Sequence, residues 1–447
     1  MSFIDLVRDA GIVGAGGAGF PTCFKLAPAG GDFGDAYLVA NGAECEPLLQ
    51  SDQRLMETKA PDIVRALLAS ARALGAANVV IATKSHYHAS VAALRRAAEG
   101  TAIKLHLLKS TYPSGDERTL IHEVSGRIIP AGGLPHDVGC VVCNTATLVN
   151  IGAALDGKPV TDKVLTVSGA VKNPVTVEVP IGTPLSSLIE AAGGFESGGE
   201  DDYHIILGGP LMGVSAKNLD EGVTKTTGGI IPFPKTHKLV YYKTIDISRQ
   251  AKMAKAVCCQ CSLCTQLCPR SALGLNVSPH KAMRALSAER GKLLDNMNSI
   301  FSCCECGLCS YFACNFGLAP HVIMGNFKRE LAAQGIKPQK ESLRPVDAGI
   351  DNKKVPVARL VARLDLGRYN RNAPLVPFSV KVPRVKIPLK MHIGVPCRPV
   401  VTAGTAVKKG ALIAQSDGLG APIHASIDGV ISAVSNDHIE IQAEHTL

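Results

Sequence analysis

The sequence predicts a multidomain α/β protein, on three observations. Its 447 residues exceed what one hydrophobic core organises, so three or four domains are expected. From Asp35 to Lys109 short apolar runs alternate with helix-like segments in a βαβαβ rhythm. Ten of the 15 cysteines crowd between Cys258 and Cys314 among helical segments, at spacings that suit metal ligation better than disulfides. With 44 glycines and no tryptophan, tight-turned α/β and small β modules fit better than an aromatic-rich sandwich.

The first part spans residues 1–157. Its runs AYLVA, NVVIATK and IKLHLLK are continuous rather than alternating, which implies a parallel, Rossmann-like sheet covered on both faces, with ligands at the strand ends. Between them lie the helical patterns PDIVRALLASARALG and HASVAALRRAAEG. Ahead of the sheet, GAGGAGFPT at 14–22 is a glycine-rich loop of the kind that lets backbone N–H groups approach a phosphate; alone, such a segment is more often just a flexible turn.

After the Asp156-Gly157 turn, residues 158–249 carry short β-rich pieces around the helix PLSSLIEAAGG, a small α+β module. Residues 250–335 hold the cysteines. Cys258-x2-Cys261-x2-Cys264-x3-Cys268-Pro269 is the bacterial ferredoxin run, in which three thiolates on one loop grip three irons of a [4Fe–4S] cube and the fourth reaches a second cube. The run recurs 45 residues later as Cys303-x2-Cys306-x2-Cys309-x4-Cys314. Paired, the runs assign Cys258, Cys261, Cys264 and Cys314 to one cluster and Cys268, Cys303, Cys306 and Cys309 to the other. Structural zinc also takes four thiolates at Cys-x2-Cys spacing, but seldom from a loop of three. The second run departs from pattern, with four residues before Cys314 and Asn315 in place of proline. Cys259 and Cys304, beside ligands, would substitute only if the loops slipped by one residue.

Residues 336–390 form a basic, Pro-containing linker, 13 Lys/Arg against 4 Asp/Glu between 337 and 390. A solvated linker or an acidic protein partner is expected of it ahead of nucleic acid or lipid headgroups. From Met391 the evenly spaced glycine turns predict a compact β domain like a lipoyl carrier, without the lysine hairpin that would carry a swinging cofactor. No segment approaches the roughly 20 uninterrupted apolar residues of a membrane span, and the N-terminus lacks the pattern of a signal peptide; a cytoplasmic protein is expected.

Four elements in order, GAGGAGFPT at 14–22 with Lys25, NGAECEP at 41–47, YPSGDERTL at 112–120 and CNTATL at 143–148, resemble the FMN- and NADH-binding elements of the complex I flavoprotein subunit and the Rnf complex C subunit. Ala15, Ala43 and Cys45 stand where the complex I pattern has Arg, Asp and Gly, so the likeness is closer to the Rnf branch. The resemblance implies that Gly14, Gly16, Gly17 and Gly19 cradle FMN, with Lys25 and Asn41 beside it and Asn144 and Thr147 closing the site. It makes Glu44, Glu46, Asp116 and Glu117 candidates for nicotinamide positioning and ribose contact, carboxylates that would favour NADH over NADPH. Phe20 is a candidate wall of the nicotinamide slot. Cys45, Cys140 and Cys143 are expected to be packing residues, and the isolated His136, His392 and His424 are not expected to be ligands.

The module at 158–249 resembles the SLBB, β-grasp-like domain of the same relatives. The terminal segment resembles the Rnf C barrel-sandwich hybrid, which there precedes the flavin domain and here ends the chain. That permuted order is similar to the cobalamin reductases of propanediol-utilisation microcompartments. The resemblance implies electron transfer from NADH through FMN and two [4Fe–4S] clusters to cobalamin, with an adenosyltransferase and a shell protein as partners. No Asp-x-His-x-x-Gly element for a cobalt ligand is present. Two alternatives keep part of the reading: an Rnf-like module serving ferredoxin or flavodoxin, and a non-catalytic cluster-bearing scaffold. NADH turnover and the choice of acceptor separate the three.

Overall fold

The computed structural model describes residues 2–27, 35–286 and 298–444. Helix α1 (Phe3–Asp9) starts with a capping box between Ser2 and Asp5. The glycine-rich loop follows, then α2 (Thr22–Leu26) and a four-stranded parallel sheet. Its strands are β1 (Tyr37–Gly42), β2 (Asn78–Lys84), β3 (Lys104–Leu108) and, beyond the short β4 (Thr111–Tyr112), β5 (Cys140–Asn144), in the order β3-β2-β1-β5. Leu38, Val39 and Ala40 of β1 are wholly inaccessible, as a sheet covered on both faces requires. Helices α3 (Ser51–Thr58), α4 (Ala60–Leu74), α5 (His88–Ala98), α6 (Glu117–Ser125) and α7 (Thr145–Leu155) complete the domain. On α4, Ile63, Val64, Leu67, Ala71 and Leu74 form the buried stripe at helical spacing, and Gly75, at φ 68°, closes the helix in the left-handed region. Because the chain leaves β1 toward β2 on one side and returns as β5 on the other, the β1/β5 boundary is the switch point at which such sheets bind ligands.

The second module is a mixed five-stranded sheet of β6 (Asp162–Val167), β7 (Val175–Pro180), β8 (Tyr203–Leu207), β9 (Val214–Ser215) and β10 (Gly229–Pro234), backed by α8 (Leu185–Ala191). The cysteine module is built of short helices around a core of its own that includes Leu275, Met283, Ile323 and Phe327.

The basic stretch 336–390 is not a solvated linker. Residues Val355–Pro356 pair antiparallel with β4, and the helix Val357–Arg363 and the turn after it bury Leu360, Leu364, Leu366 and Tyr369 completely in the core of the second module. At about 1.5–3 kcal/mol for each large apolar side chain buried, that is a firm anchor. Its Arg371 guanidinium donates to the Gly169 and Val171 carbonyls and pairs with Glu196, so the charge is paired within the chain. The terminal β domain also begins before Met391: Arg384–Pro388 pairs along its whole length with His438–Ala443. That strand joins Gly429–Val434 and Ala406–Val407 in one sheet, against a second of Arg398–Pro399, Leu412–Gln415 and Ile423–His424. Ile387, Ile431, Ile439 and Ile441 belong to the same apolar cluster as Leu38, Ile63 and Leu67, so the end of the chain packs on its beginning.

Candidate functional site

At the switch point Asn41 and Asn144 are direct register partners at the C-terminal ends of β1 and β5. Asn41 donates to the Gly115 carbonyl (3.0 Å), and Asn144 caps α7 by accepting from the Ala146 amide (2.9 Å). The glycine-rich loop arches over them. Gly14 donates to the Phe20 carbonyl (2.9 Å), which closes the loop, and the Ala15 amide donates to Thr147 Oγ1 (2.9 Å). A Cβ at Gly16 would meet the Asn144 side chain at 3.0–3.1 Å, whereas Gly17, at φ 145°, has open space where a Cβ would stand. The exposed loop tip is therefore a backbone cradle seated on Asn144 and Thr147, which fits a bound FMN phosphate or ring. Gly19 serves another purpose: its carbonyl accepts from the Ile393 amide (3.1 Å), and a Cβ there would press on His392, so it seats the terminal β domain. Phe20 is half-buried at the loop's base. Lys25 pairs with Glu117 at 2.8 Å across the same site.

The structure separates the four acidic candidates. Glu117 is partly exposed, and its carboxylate accepts from Lys25. The Glu44 carboxylate accepts from the Asp52 amide (2.7 Å), capping α3; burial first, and then the Asp52 charge, push it up to about 8. Glu46 accepts from the Leu211 and Met212 amides (2.9 and 3.0 Å), tying the second module to the first. Asp116 caps α6 through Thr119 and forms a two-pronged ion pair with Arg270 of the cysteine module (2.5 and 3.0 Å), its side chain 8% exposed. Burial alone would raise its carboxyl, but the Arg270 charge and the hydrogen bonds hold it below the usual range. Three carboxylates expected at a ribose or nicotinamide are thus already paired within the protein, Glu44 with the nearby start of α3 and Glu46 and Asp116 with segments that only tertiary packing delivers. Sequence reasoning missed Asp52, which accepts from Asn144 and Thr145, and Lys163, which is buried, donates to the Ala15 carbonyl (3.0 Å) and is pushed down to about 8 by burial. Neither sits in a recognisable motif.

The cysteines surround two cavities. Cys258, Cys261, Cys264 and Cys314 line one of about 180 Å³, and Cys268, Cys303, Cys306 and Cys309 a narrower one. Both runs use the same backbone device: Gln260 and Glu305 have φ 56°, and Ser262 and Gly307 have φ 60° and 74°, which curls each loop around its thiols. The extra residue before Cys314 is absorbed by a π-helical turn, Cys309–Ala313, so Cys314 still reaches the first cavity. Among the described residues no three His, Cys, Asp or Glu side chains converge on a single metal ion. Four thiols spread around a cavity fit a cube in which each iron takes one protein ligand better than a tetrahedral zinc. Cys259, exposed, also lines the first cavity, and Cys304, half-buried, the second. Cys140 and Cys143 are buried packing residues, and His392 and His424 are buried.

Fold and site together define a flavin and iron–sulfur oxidoreductase. Residues 7–153 match the Nuo51 FMN-binding domain, 164–215 the SLBB domain, 257–319 the 4Fe-4S dicluster domain and 369–446 the RnfC barrel sandwich hybrid domain. The chain is 42% identical to the cobalamin reductase PduS of Salmonella typhimurium over 97% of its own length and 95% of that protein's. It is 39% identical to the Citrobacter freundii protein of the same name over the same shares. The C subunit of the proton-translocating ferredoxin:NAD(+) oxidoreductase complex of Clostridium ljungdahlii is 35% identical over 60% of this chain and 55% of that one. The chain belongs to the PduS cobalamin reductase family. Among the described residues no helix is long and apolar enough to cross a membrane.

Proposed function

We propose that this protein oxidises NADH and reduces cobalamin one electron at a time. One NADH gives NAD+, a proton and two electrons, enough to reduce two cob(III)alamins to cob(II)alamin. Bound FMN supplies the change from two-electron to one-electron chemistry, and two [4Fe–4S] clusters each take one electron at a time. The chain's own part is to hold and orient. In this reading the loop Gly14–Gly19, with Asn41, Asn144 and Thr147, is the flavin cradle, Lys25 and Glu117 bound it, and Glu117 accepts from a ribose hydroxyl. The two four-thiol sets hold the clusters.

The observation that carries the reading is the join between flavin domain and cysteine module. The loop YPSGDE makes it from both ends: the Tyr112 hydroxyl donates to the Cys306 carbonyl (2.7 Å), and Asp116 pairs with Arg270. A bacterial microcompartment as the location, and an adenosyltransferase that consumes the reduced product, follow from the family and belong to this proposal. A ferredoxin-like acceptor is the second reading, favoured by the Clostridium relative. The deciding experiment mixes the flavin- and cluster-replete protein anaerobically with NADH and hydroxocobalamin and follows the cobalt spectrum. Reduction well above the free-flavin background supports cobalamin as acceptor. Bleaching of the flavin by NADH with cobalamin left oxidised moves the search to ferredoxin-like proteins.

A further inference from the structure

The two thiol sets have different surroundings. Cys268, Cys306 and Cys309 are buried and Cys303 is half-buried, whereas Cys261 is exposed and Cys258, Cys264 and Cys314 are half-buried, beside the exposed Phe316. Among the described residues, it is the inner set that is hydrogen-bonded to the flavin domain. Its Cys306 carbonyl takes the Tyr112 hydroxyl, and Arg270, two residues after Cys268, reaches across to Asp116. Arg270 lies along the wall of the inner cavity with its side chain 11% exposed. Two other cations lie nearby: Lys328 donates to the Cys303 carbonyl (3.1 Å) and is paired with Glu305 (3.1 Å), and Arg118, whose charge is felt by Arg270 and Asp116, donates to the Ile129, Pro130 and Gly133 carbonyls.

We infer that Arg270 and Asp116 are a positioning pair for the inner thiol set: they fix it against the flavin loop and set the charge beside it, which makes it the receiving end of the electron path and the outer set the delivering end. The inference rests on the flavin-to-cluster reading above. Its physical basis is that a charge in a water-poor setting acts strongly on a neighbouring group that gains an electron. Paired, the guanidinium and carboxylate largely cancel. Removing either partner leaves the other uncompensated, and the two removals have opposite sign.

The test is a redox titration of the holoprotein, poised with dithionite and mediators and followed by electron paramagnetic resonance, on wild type, Arg270→Gln, Asp116→Asn and Arg270→Lys. Cys303→Ser and Cys261→Ser assign the inner and outer signals by their loss. The expected result is an inner midpoint that falls in Arg270→Gln, where a bare carboxylate opposes the added electron, and rises in Asp116→Asn, where a bare guanidinium favours it. Arg270→Lys should keep the inner midpoint nearer wild type than Arg270→Gln does, and the outer midpoint should not move. A shift of the same sign in Arg270→Gln and Asp116→Asn, no inner shift, or a shift confined to the outer signal overturns the inference. If Arg270→Gln loses its inner iron, Asp116→Asn decides alone, since it keeps the guanidinium and adds no bulk. Chemical poising needs no NADH, so failure of NADH to reduce wild type would sink the proposed function and leave this result standing.

Discussion

The two cysteine runs are one backbone device used twice, and what differs is the protein laid over them. Both curl through left-handed residues at the second and fourth positions after the first cysteine, Gln260 and Ser262 in one, Glu305 and Gly307 in the other. The later run then takes a π turn, and there Gly307 leaves room for the buried Tyr311 ring, which a Cβ at 307 would strike. Around it close the flavin loop, the second module and the strap that follows residue 336; Cys306, Leu308 and Tyr311 share an apolar cluster with Ile230 and Ile231 of β10. Among the described residues the first three cysteines of the earlier run are less covered, Cys261 exposed and Cys258 and Cys264 half-buried. Ligand geometry is thus set locally, while access to the ligands is set by tertiary packing, and the same motif can serve an inner and an outer role.

The largest effect that would break this comparison comes from the ligands. Cys306→Ala should lose the inner cluster, halving bound iron, and bring NADH-driven acceptor reduction to the free-flavin background while NADH still bleaches the flavin. Cys261→Ala should also halve the iron and stop delivery, yet leave the inner signal in place. Loss of all iron from Cys261→Ala would show that the two sets do not form independently. Next in size is Glu117→Ala, which removes the carboxylate left at the cradle; loss of one charged hydrogen bond, about 1.5–3 kcal/mol, predicts flavin bleaching by NADH slowed roughly 10- to 100-fold with both cluster signals unchanged. A rate within about twofold of wild type would exclude it from the nicotinamide site.

A smaller effect sharpens the likeness of the runs. Deleting Phe312, half-buried within the π turn, restores three residues between the last two cysteines, the spacing of the earlier run. If the turn merely absorbs one residue, the outer cluster should survive with its iron content and signal intact. Its loss would mean that the π geometry itself aims the last thiol.

The cysteine sets and the parallel sheet were legible in the sequence because their information is local: ligand spacing along one loop, apolar runs of strand length, helical stripes between them. The acidic residues were not. Asp116 meets Arg270 at a separation of 154 residues and Glu46 meets Leu211 at 165, and no nearby pattern announces such partners. The basic stretch misled for the same reason. Its composition reads as a solvated linker, but apolar residues spaced through it, Leu360, Leu364 and Tyr369, find a core elsewhere in the chain, and Arg371 finds carbonyls. The family resemblance pointed to the glycine-rich loop; it could not say which carboxylates this chain spends on holding its modules together.

The last test of that division of labour runs through pH. Glu44 caps α3, and its carboxyl is raised from 4.5 to about 8, by burial first and then by Asp52. Between those two values the native protein keeps a proton that the unfolded chain has released. Stability from this group therefore falls as pH rises through the window, and levels off above it. Glu44→Gln retains an acceptor for the Asp52 amide and removes the titration. Its thermal midpoint should depend less steeply on pH than that of wild type between about 4.5 and 8. Cys143 sits in the same domain with its thiol pushed up to about 11, so it stays neutral throughout and adds nothing to the slope. Parallel pH curves for wild type and variant would show that Glu44 is ionised in the folded protein, and would return it to the candidates for substrate contact.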